Sequence, residues 1–591
     1  MLNLGLLSRR SFRLIRQSER SECGLACIAM ISSYLGIRIN LQSMRRRFPP
    51  GARGLGLRRL IEISTCLGLN ARAVRLSLEN LENLHTPAML HWDMRHFVVL
   101  ERVKKKRALI HDPDGRTAWM SLSDVSSHFT GVALEFRPSV SLESVGDLPV
   151  LRIRNLWGRI VGLKRALLQT IMLSLILQVF LLAAPYYMQL AVDTALPALD
   201  KDLLDTLAIG FGIFTIINAV AALFRGFVLL SAGSSLAFGI ATNVVQRLFR
   251  LPVAWFESRH TGDILSRLES IAPLQEVLTE GAVSSVIDGI LAATTLAVMY
   301  FYNALMASIA VIALAIVISS RIFCFSVLRE AVASSLIAHG KEQSTLIESI
   351  RGMVTVRLAG CESLRHALWQ SRRVDTINAD IGKARVGIWL GFTNVLVFGI
   401  ETVLSTWVGV RLVMQGAGFS VGMIFAFMAY KLHFIQKSED FVDRVVKFRM
   451  LSLHLERLSD IGLAKEDRSF GVNEEKEEVL KGEVELRNIS FRYTEADPFV
   501  LSDVNLLVKP GEHIAITGLS GTGKSTLVQI LLGLAEPNSG DVFVDGIPLS
   551  RFGYKSYQRQ ISGVLQNDSL FAGSLAENIA LFDDQVDMAV D

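Results

Sequence analysis

The chain has 591 residues, 50% hydrophobic and only 20% charged, with a mean hydropathy of +0.38 and a formal net charge of +5. Soluble domains carry about 25% charged residues, so this balance points toward a membrane, and the length suggests about three to five domain-sized units. Fourteen prolines exclude a Pro-rich disordered chain, five cysteines of unrepeated spacing exclude a disulfide scaffold, and the small net charge gives no reason to expect a nucleic-acid partner.

The N-terminus does not read as a secretory signal. Its apolar stretch, Leu2 to Leu7, is short and is followed by Arg9, Arg10, Arg13 and Arg16, which read as a solvated face near anionic lipid. Residues 1–145 then read as a soluble domain mixing helices and strands. Periodicity predicts a helix over 24–35 and another near 57–67. Strands are predicted over 88–92, 96–103 and 108–111, closed by the turn Asp112-Pro113-Asp114-Gly115. The segment Glu22-Cys23-Gly24-Leu25-Ala26-Cys27 puts Cys23 at the start of the first helix, where the helix dipole favours a thiolate. Glu22 opposes this, so a basic partner is needed. His96, heading its strand, is the candidate base, and Asp112, ending the next apolar run, can lie beside it on an adjacent strand. A Cys, His and Asp so arranged attack an amide, with the carboxylate fixing the imidazole tautomer. Gln17, six residues before Cys23, is the candidate donor to the oxyanion. Residue chemistry alone leaves rivals open. A helix cysteine is most often a small buried hydrophobe, Cys27 one turn along is a second candidate nucleophile, and His91 and His111 are further candidate bases.

The middle of the chain, 146–464, is different. Uncharged runs cover 166–192 and 206–224. Residues 281–320 are broken only by Asp288, which suffices for two spans with a turn near Asn303. Residues 386–410 are broken only by Glu401, and 412–430 form a last run that opens with a Gly-rich turn. Each is long enough to cross a bilayer, giving six predicted spans. Ten Lys/Arg lie from Arg321 to Arg385 and four from Arg247 to Arg267, whereas the first outer loop has Lys201 against Asp193, Asp200, Asp202 and Asp205. The basic side faces the cytoplasm, so both termini are expected there. The basic connections are rich in helix formers and are expected to extend the spans as helices. Asp288, Glu401 and Arg225 are the ionisable residues inside spans and are candidates for lining a pathway.

A polar linker, 465–481, leads to a third unit, 465–591. Gly518-Leu519-Ser520-Gly521-Thr522-Gly523-Lys524-Ser525 matches the phosphate-loop pattern G-x-x-x-x-G-K-S. It follows an apolar run over 513–517, predicted to be a buried strand, and precedes a predicted helix over 526–534. Backbone N–H groups from Gly518 through Thr526, including those of Ser520, Gly521, Thr522 and Gly523, can cradle phosphates at a helix N-terminus. Lys524 neutralises the β/γ-phosphates and Ser525 is placed to hold Mg²⁺.

With these motifs in view, residues 481–591 resemble the start of an ABC-transporter ATP-binding domain of α/β P-loop type. The resemblance implies that Tyr493, in Phe491-Arg492-Tyr493, stacks on adenine. It also implies that Gln566, in Val564-Leu565-Gln566-Asn567, senses nucleotide and joins Ser525 at Mg²⁺. Residues 251–257 with Thr261-Gly262-Asp263, and 348–357, resemble the coupling regions of a six-helix transmembrane exporter domain. Residues 10–137 resemble the papain-like α+β cysteine-peptidase domain that precedes bacteriocin exporters, matching at Gln17, Cys23, His96 and Asp112. The chain is thus similar to the peptidase-containing ABC exporters of the bacteriocin and colicin V secretion type. That family implies cleavage of a double-glycine leader peptide and ATP-driven export of the mature peptide. It further implies a homodimer in the bacterial inner membrane, a periplasmic adaptor and an outer-membrane channel. A related group lacks the cysteine and only binds leaders; Cys23 argues for the cleaving group. The family's signature loop, acidic strand end and switch histidine do not occur before Asp591. The expectation is therefore a truncated exporter that binds ATP weakly without turning it over.

Overall fold

The computed structural model describes residues 12, 14–17, 20–37, 41–49, 54–114, 116–138, 163–257, 259, 261–278, 282–416, 418–470, 479–493, 497–566 and 570–580. Arg9, Arg10 and Arg13, the boundary near 145, Gly115, Asn567 and the acidic run 474–478 lie outside the described residues. The chain divides into two compact units, the first holding most of residues 1–465 and the second most of 466–591.

The first unit opens with helices α1 (Cys23–Tyr34), α2 (Leu41–Arg47) and α3 (Leu57–Cys66). Six strands follow: β1 (Leu69–Arg75), β2 (Ala88–Trp92), β3 (His96–Lys104), β4 (Arg107–Asp112), β5 (Arg116–Ser121) and, after helix α4 (Leu122–His128), β6 (Phe129–Pro138). They form one antiparallel sheet in the order β1-β6-β2-β3-β4-β5. Residues 23–32 of α1 are all buried, as expected of a helix apolar on every side. The run Phe97-Val98-Val99-Leu100 feeds two cores by strand alternation. Phe97 and Val99 pack with α1, Leu134 and Phe136, while Val98 and Leu100 pack with Trp92, Ile110 and Val125. A strand covered on both faces reads as a continuous apolar run, which is why β3 was visible in the sequence. Strand β1 alternates weakly and is largely open to solvent, so its sequence carried no such signal.

The long helices follow: α5 (Leu163–Leu190), α6 (Lys201–Phe249), the short α7 (Thr261–Leu268), then α8 (Ala282–Tyr302), α9 (Ala304–Arg351), α10 (Glu362–Met414) and α11 (Val421–Gly462). Among the described residues five helical stretches are long and apolar enough to cross a membrane: Leu168–Ala198, Lys201–Phe249, Ser284–Tyr302, Ala304–Arg351 and Glu362–Met414. At 49 residues, α6 is roughly 70 Å long against a hydrocarbon core of about 30 Å, so it runs well past a bilayer. The last predicted span is displaced. Leu412, Val413 and Met414 complete α10, and α11 begins only at Val421.

Helix α11 reaches Lys431 after ten residues and carries further charges beyond it, yet it packs along α8 and α5. Its charges are met by neighbours. Lys431 lies 3.0 Å from Glu401 of α10, and both are buried. Lys437, at 3.3 Å, and Arg444 both meet buried Asp288 of α8, while Glu439 and Asp443 meet Arg321 of α9. At the other end Asp193 accepts from Ser420 and, at 2.9 Å, from the Gly422 backbone N–H, capping the start of α11. A Cβ on Gly422 would strike that carboxylate, so the close approach requires glycine.

In the second unit β7 (Val484–Phe491), β8 (Leu501–Val508), β9 (Ser539–Val544) and β10 (Ile547–Pro548) form an antiparallel sheet ordered β10-β9-β7-β8. Helix α12 (Lys524–Leu531) follows the phosphate loop. The buried strand predicted over 513–517 is corrected: these residues are exposed and pair with no strand. An apolar run becomes a buried strand only beside a partner, and none among the described residues covers it.

Candidate functional site

Cys23 is the first residue of α1, with Glu22 as its N-cap in helical backbone and no capping hydrogen bond from the Glu22 side chain. The Glu22 carboxylate instead takes Arg45 of α2, through Nε and through Nη2 at 2.9 Å. Arg45 thus offsets the acid beside the thiol, a partner that sequence reasoning missed because 23 positions with no periodic link separate the two.

His96 heads β3 and Asp112 ends β4, and His96 Nε2 lies 2.8 Å from Asp112 Oδ1. A bulge makes this possible. The hairpin pairs Lys104 with Arg107 and Arg102 with Leu109, then Leu100 with Ile110, leaving Glu101 as an extra residue. The register continues to place Asp112 opposite Val98, so that His96 is its diagonal neighbour on the same face. Regular pairing from Arg102 and Leu109 onward would put Glu101 opposite Ile110 and Asp112 opposite Val99, on the other face. Glu101 accepts a hydrogen bond from His111 Nε2 at 2.6 Å, while His111 Nδ1 meets Thr117 at 3.0 Å and Phe12 stacks on the ring. His111 is thereby fully engaged. His91 bonds Thr130 at 2.8 Å, and burial holds its pKa below the ordinary value.

Burial works against the charged form of His96. Its hydrogen bonds to Asp112 and to the Cys23 thiol outweigh burial, so its pKa is pushed up to about 10. Cys27 is different: it is fully buried, its Sγ donates to Phe97 O at 3.3 Å, and burial first, then the charges of Cys23 and Asp112, raises its pKa. Gln17 is buried close by, its backbone N–H donating 2.9 Å to Pro113 O and its side-chain oxygen without a partner among the described residues. The structure therefore gathers Cys23, His96 and Asp112, with Gln17 bound to the residue after Asp112. A thiol, a positively charged imidazole and a carboxylate in contact can carry out nucleophilic attack and proton transfer.

In the phosphate loop Gly518, Gly521 and Gly523 all have positive φ, and a Cβ on Gly523 would strike Val500 and Leu501. The loop curls around Lys524, whose Nζ donates to the carbonyls of Gly518, at 2.9 Å, and Leu519, at 2.6 Å. No carboxylate among the described residues pairs with it, so the donor set fits an anionic phosphate. Thr522 is tied to Leu519 O at 2.9 Å, and Ser520 and Ser525 are exposed. Tyr493 leaves its ring half exposed while its hydroxyl meets Thr526 of α12 at 2.9 Å. Gln566 sits exposed in a turn. Of the intramembrane candidates, Asp288 and Glu401 are paired as described. Arg225 is partly buried, with its Nε unpartnered among the described residues.

Three family profiles match in order: "Peptidase C39 family" over residues 11–141, "ABC transporter transmembrane region" over 167–438 and "ABC transporter" over 501–591. The chain is 33% identical to the colicin V secretion/processing ATP-binding protein of Escherichia coli, over 99% of this chain and 84% of that one. It is 25% identical to the alpha-hemolysin translocation ATP-binding protein of Escherichia coli, over 95% of this chain and 79% of that one. A bacterial Atm1-family ABC exporter solved with ATP bound superposes with a TM-score of 0.65 at 19% identity, covering 72% of this chain and 75% of the other, a likeness of fold.

Proposed function

The chain belongs to the peptidase-containing ABC exporters of the bacteriocin secretion and processing type, and on that premise we propose that it cuts a double-glycine leader from a small peptide and exports the remainder using ATP. The observation that carries the reading is the contact of His96 with both Asp112 and Cys23, in a chain that also holds membrane-crossing helices and a phosphate loop.

The Cys23 thiolate attacks the carbonyl carbon after the second glycine. Gln17 donates its side-chain amide to the oxyanion. His96 gives its proton to the departing amine, which leaves as the mature peptide's N-terminus. Water, deprotonated by His96, then attacks the thioester, releasing the leader as its carboxylic acid and restoring the Cys23 thiolate beside the protonated ring. With Nε2 held by Asp112, Nδ1 is the ring nitrogen left for the thiol.

The backbone of Gly518, Ser520, Gly521, Thr522 and Gly523 with Lys524 would hold the phosphates of ATP, Tyr493 and Thr526 would border the nucleotide, and Ser525 and Gln566 would hold a Mg²⁺ that offsets phosphate charge. Binding of ATP is the step assigned to residues 465–591; the signature loop, acidic strand end and switch histidine that turnover needs do not occur among them. We place the peptidase domain at 1–145, the membrane domain at 146–464 and the ATP-binding domain at 465–591. The reading sets a homodimer in a bacterial inner membrane with both termini cytoplasmic, working with a periplasmic adaptor and an outer-membrane channel. The test is cleavage of a synthetic double-glycine leader peptide by the full chain in lipid nanodiscs. Cys23→Ala is expected to abolish cleavage, whereas Cys27→Ala keeps it; cleavage by Cys23→Ala at the parent rate would refute the assignment.

A further inference from the structure

Both sides of the Cys23–His96–Asp112 cluster are tied by ion pairs to the helices that carry the membrane spans. On the thiol side, Arg45 uses one edge of its guanidinium for Glu22 and gives Nη1 to Asp460 Oδ2 of α11, at 2.5 Å. Asp460 also takes Arg267 of α7, which Asp263 holds at 2.7 Å. Glu22, Arg45, Arg267 and Asp460 are all buried. On the carboxylate side, Lys341 of α9 lies 2.6 Å from Asp114 Oδ1. The Asp114 backbone N–H donates 2.9 Å to Asp112 Oδ1, the same oxygen that meets His96. Asp460 therefore reaches the residue beside Cys23 through one arginine, and Lys341 reaches Asp112 through one turn residue.

We infer that Asp460 and Lys341 are positioning residues of the peptidase, through which α11 and α9 hold the cleavage site in its working geometry. The inference rests on reading Cys23 as the nucleophile. Asp460 orients the guanidinium so that its other edge faces Glu22 squarely. A freed Arg45 would swing, and the Glu22 carboxylate would bear on the thiol. Lys341 draws down the turn that carries the N–H fixing Asp112, and so sets where the imidazole sits. The Lys341–Asp114 pair is partly exposed, and such solvent-screened pairs add little to stability. Its contribution is to position rather than to fold. Because α9 is continuous from its membrane-crossing segment to Lys341, and α11 runs unbroken from its packing against α8 and α5 to Asp460, a shift of those helices is delivered to both flanks of the site at once.

The experiment uses the full chain in nanodiscs, a double-glycine leader peptide, and iodoacetamide as a separate probe of Cys23, with labelling located by peptide mass. Lys341→Glu is expected to lower kcat for cleavage by about fivefold with KM changed less than about twofold, since misplacement of a reacting group acts on the bound complex. The swap Lys341→Asp with Asp114→Lys is expected to restore kcat. Asp460→Asn is expected to slow both cleavage and alkylation of Cys23 by about tenfold, with Asp460→Glu recovering part of the loss. Parent-like kcat and alkylation in Lys341→Glu and Asp460→Asn would overturn the inference. So would a charge swap that leaves the defect in place in a protein with the parent melting temperature. A parent chain that fails to cut the leader defeats the peptidase reading instead, and the alkylation rates then still decide the coupling.

Discussion

His96 is where chemistry and stability meet. Its folded-state pKa of about 10 lies above the ordinary 6.5, so the protonated ring favours the fold. The sign follows by linkage: that contribution is complete below about pH 6.5 and is lost as pH rises through about 10. Cleavage is expected to persist on the basic side until the ring loses its proton near pH 10. In Asp112→Asn the hydrogen bond that raises the pKa is weakened, so the basic limb of the kcat/KM profile is expected to move down toward neutrality. The gap in melting temperature between parent and Asp112→Asn is expected to close from pH 7 to pH 10. A basic limb at the same pH in both proteins would contradict this. Cys23, His96 and Asp112 are conspicuous in the sequence because each stands at the end of an element, but residue chemistry leaves Cys27, His91 and His111 open and only the family resemblance chooses among them. Arg45 is not conspicuous. It lies in the basic cluster Arg45-Arg46-Arg47, which looks like a solvated face, and its pairing with buried Glu22 is a tertiary event.

Bulged rather than regular pairing makes β3 and β4 present His96 and Asp112 to the same side. Side chains alternate with period two, so the bulge at Glu101 changes which residues of β4 share a face with His96. Inserting an alanine between Phe97 and Val98 leaves Asp112 opposite Val98 but moves His96 to the opposite face, and is expected to cut leader cleavage by about 100-fold. Glu101→Ala keeps the extra residue, loses only the bond to His111, and is expected to cost less than about tenfold. Comparing the two cleavage rates separates register from side-chain chemistry. The strands themselves were readable from apolar runs, but the bulge was not, since Glu101 differs in no way from any polar residue near a strand end. The 513–517 run shows the opposite error: its composition suits a buried strand, and only the absence of a pairing neighbour among the described residues reveals that it is not in the sheet.

At the scale of the whole molecule, α11 carries buried Lys431 and Asp460 and meets buried Asp288 and Glu401 on its neighbours. The Glu401–Lys431 pair is enclosed between helices, with Ser405 donating 2.5 Å to Glu401 and Lys431 donating 2.9 Å to Thr402. Breaking such a pair leaves a lone buried charge, and Lys431→Met is expected to destabilise the protein by about 3–5 kcal/mol. Replacing both, as Glu401→Leu with Lys431→Met, is expected to recover most of that loss. Thermal unfolding in detergent checks both, and a double variant as unstable as the single one would contradict the account. Five of the crossing helices were legible from apolar length alone. The start of α11 was not, because the apolar run 412–430 is divided between the end of α10 and the first residues of α11.

That distribution of charge also constrains how the protein is made. A lysine or aspartate at the middle of a lone helix costs about 2.5–3.5 kcal/mol to insert into lipid, and α11 has only ten residues ahead of Lys431. The partners it needs, Asp288 on α8, Arg321 on α9 and Glu401 on α10, are all synthesised before it. The final helix therefore enters the membrane as a guest of helices already there, and an error in any of them during biosynthesis leaves it stranded at the surface.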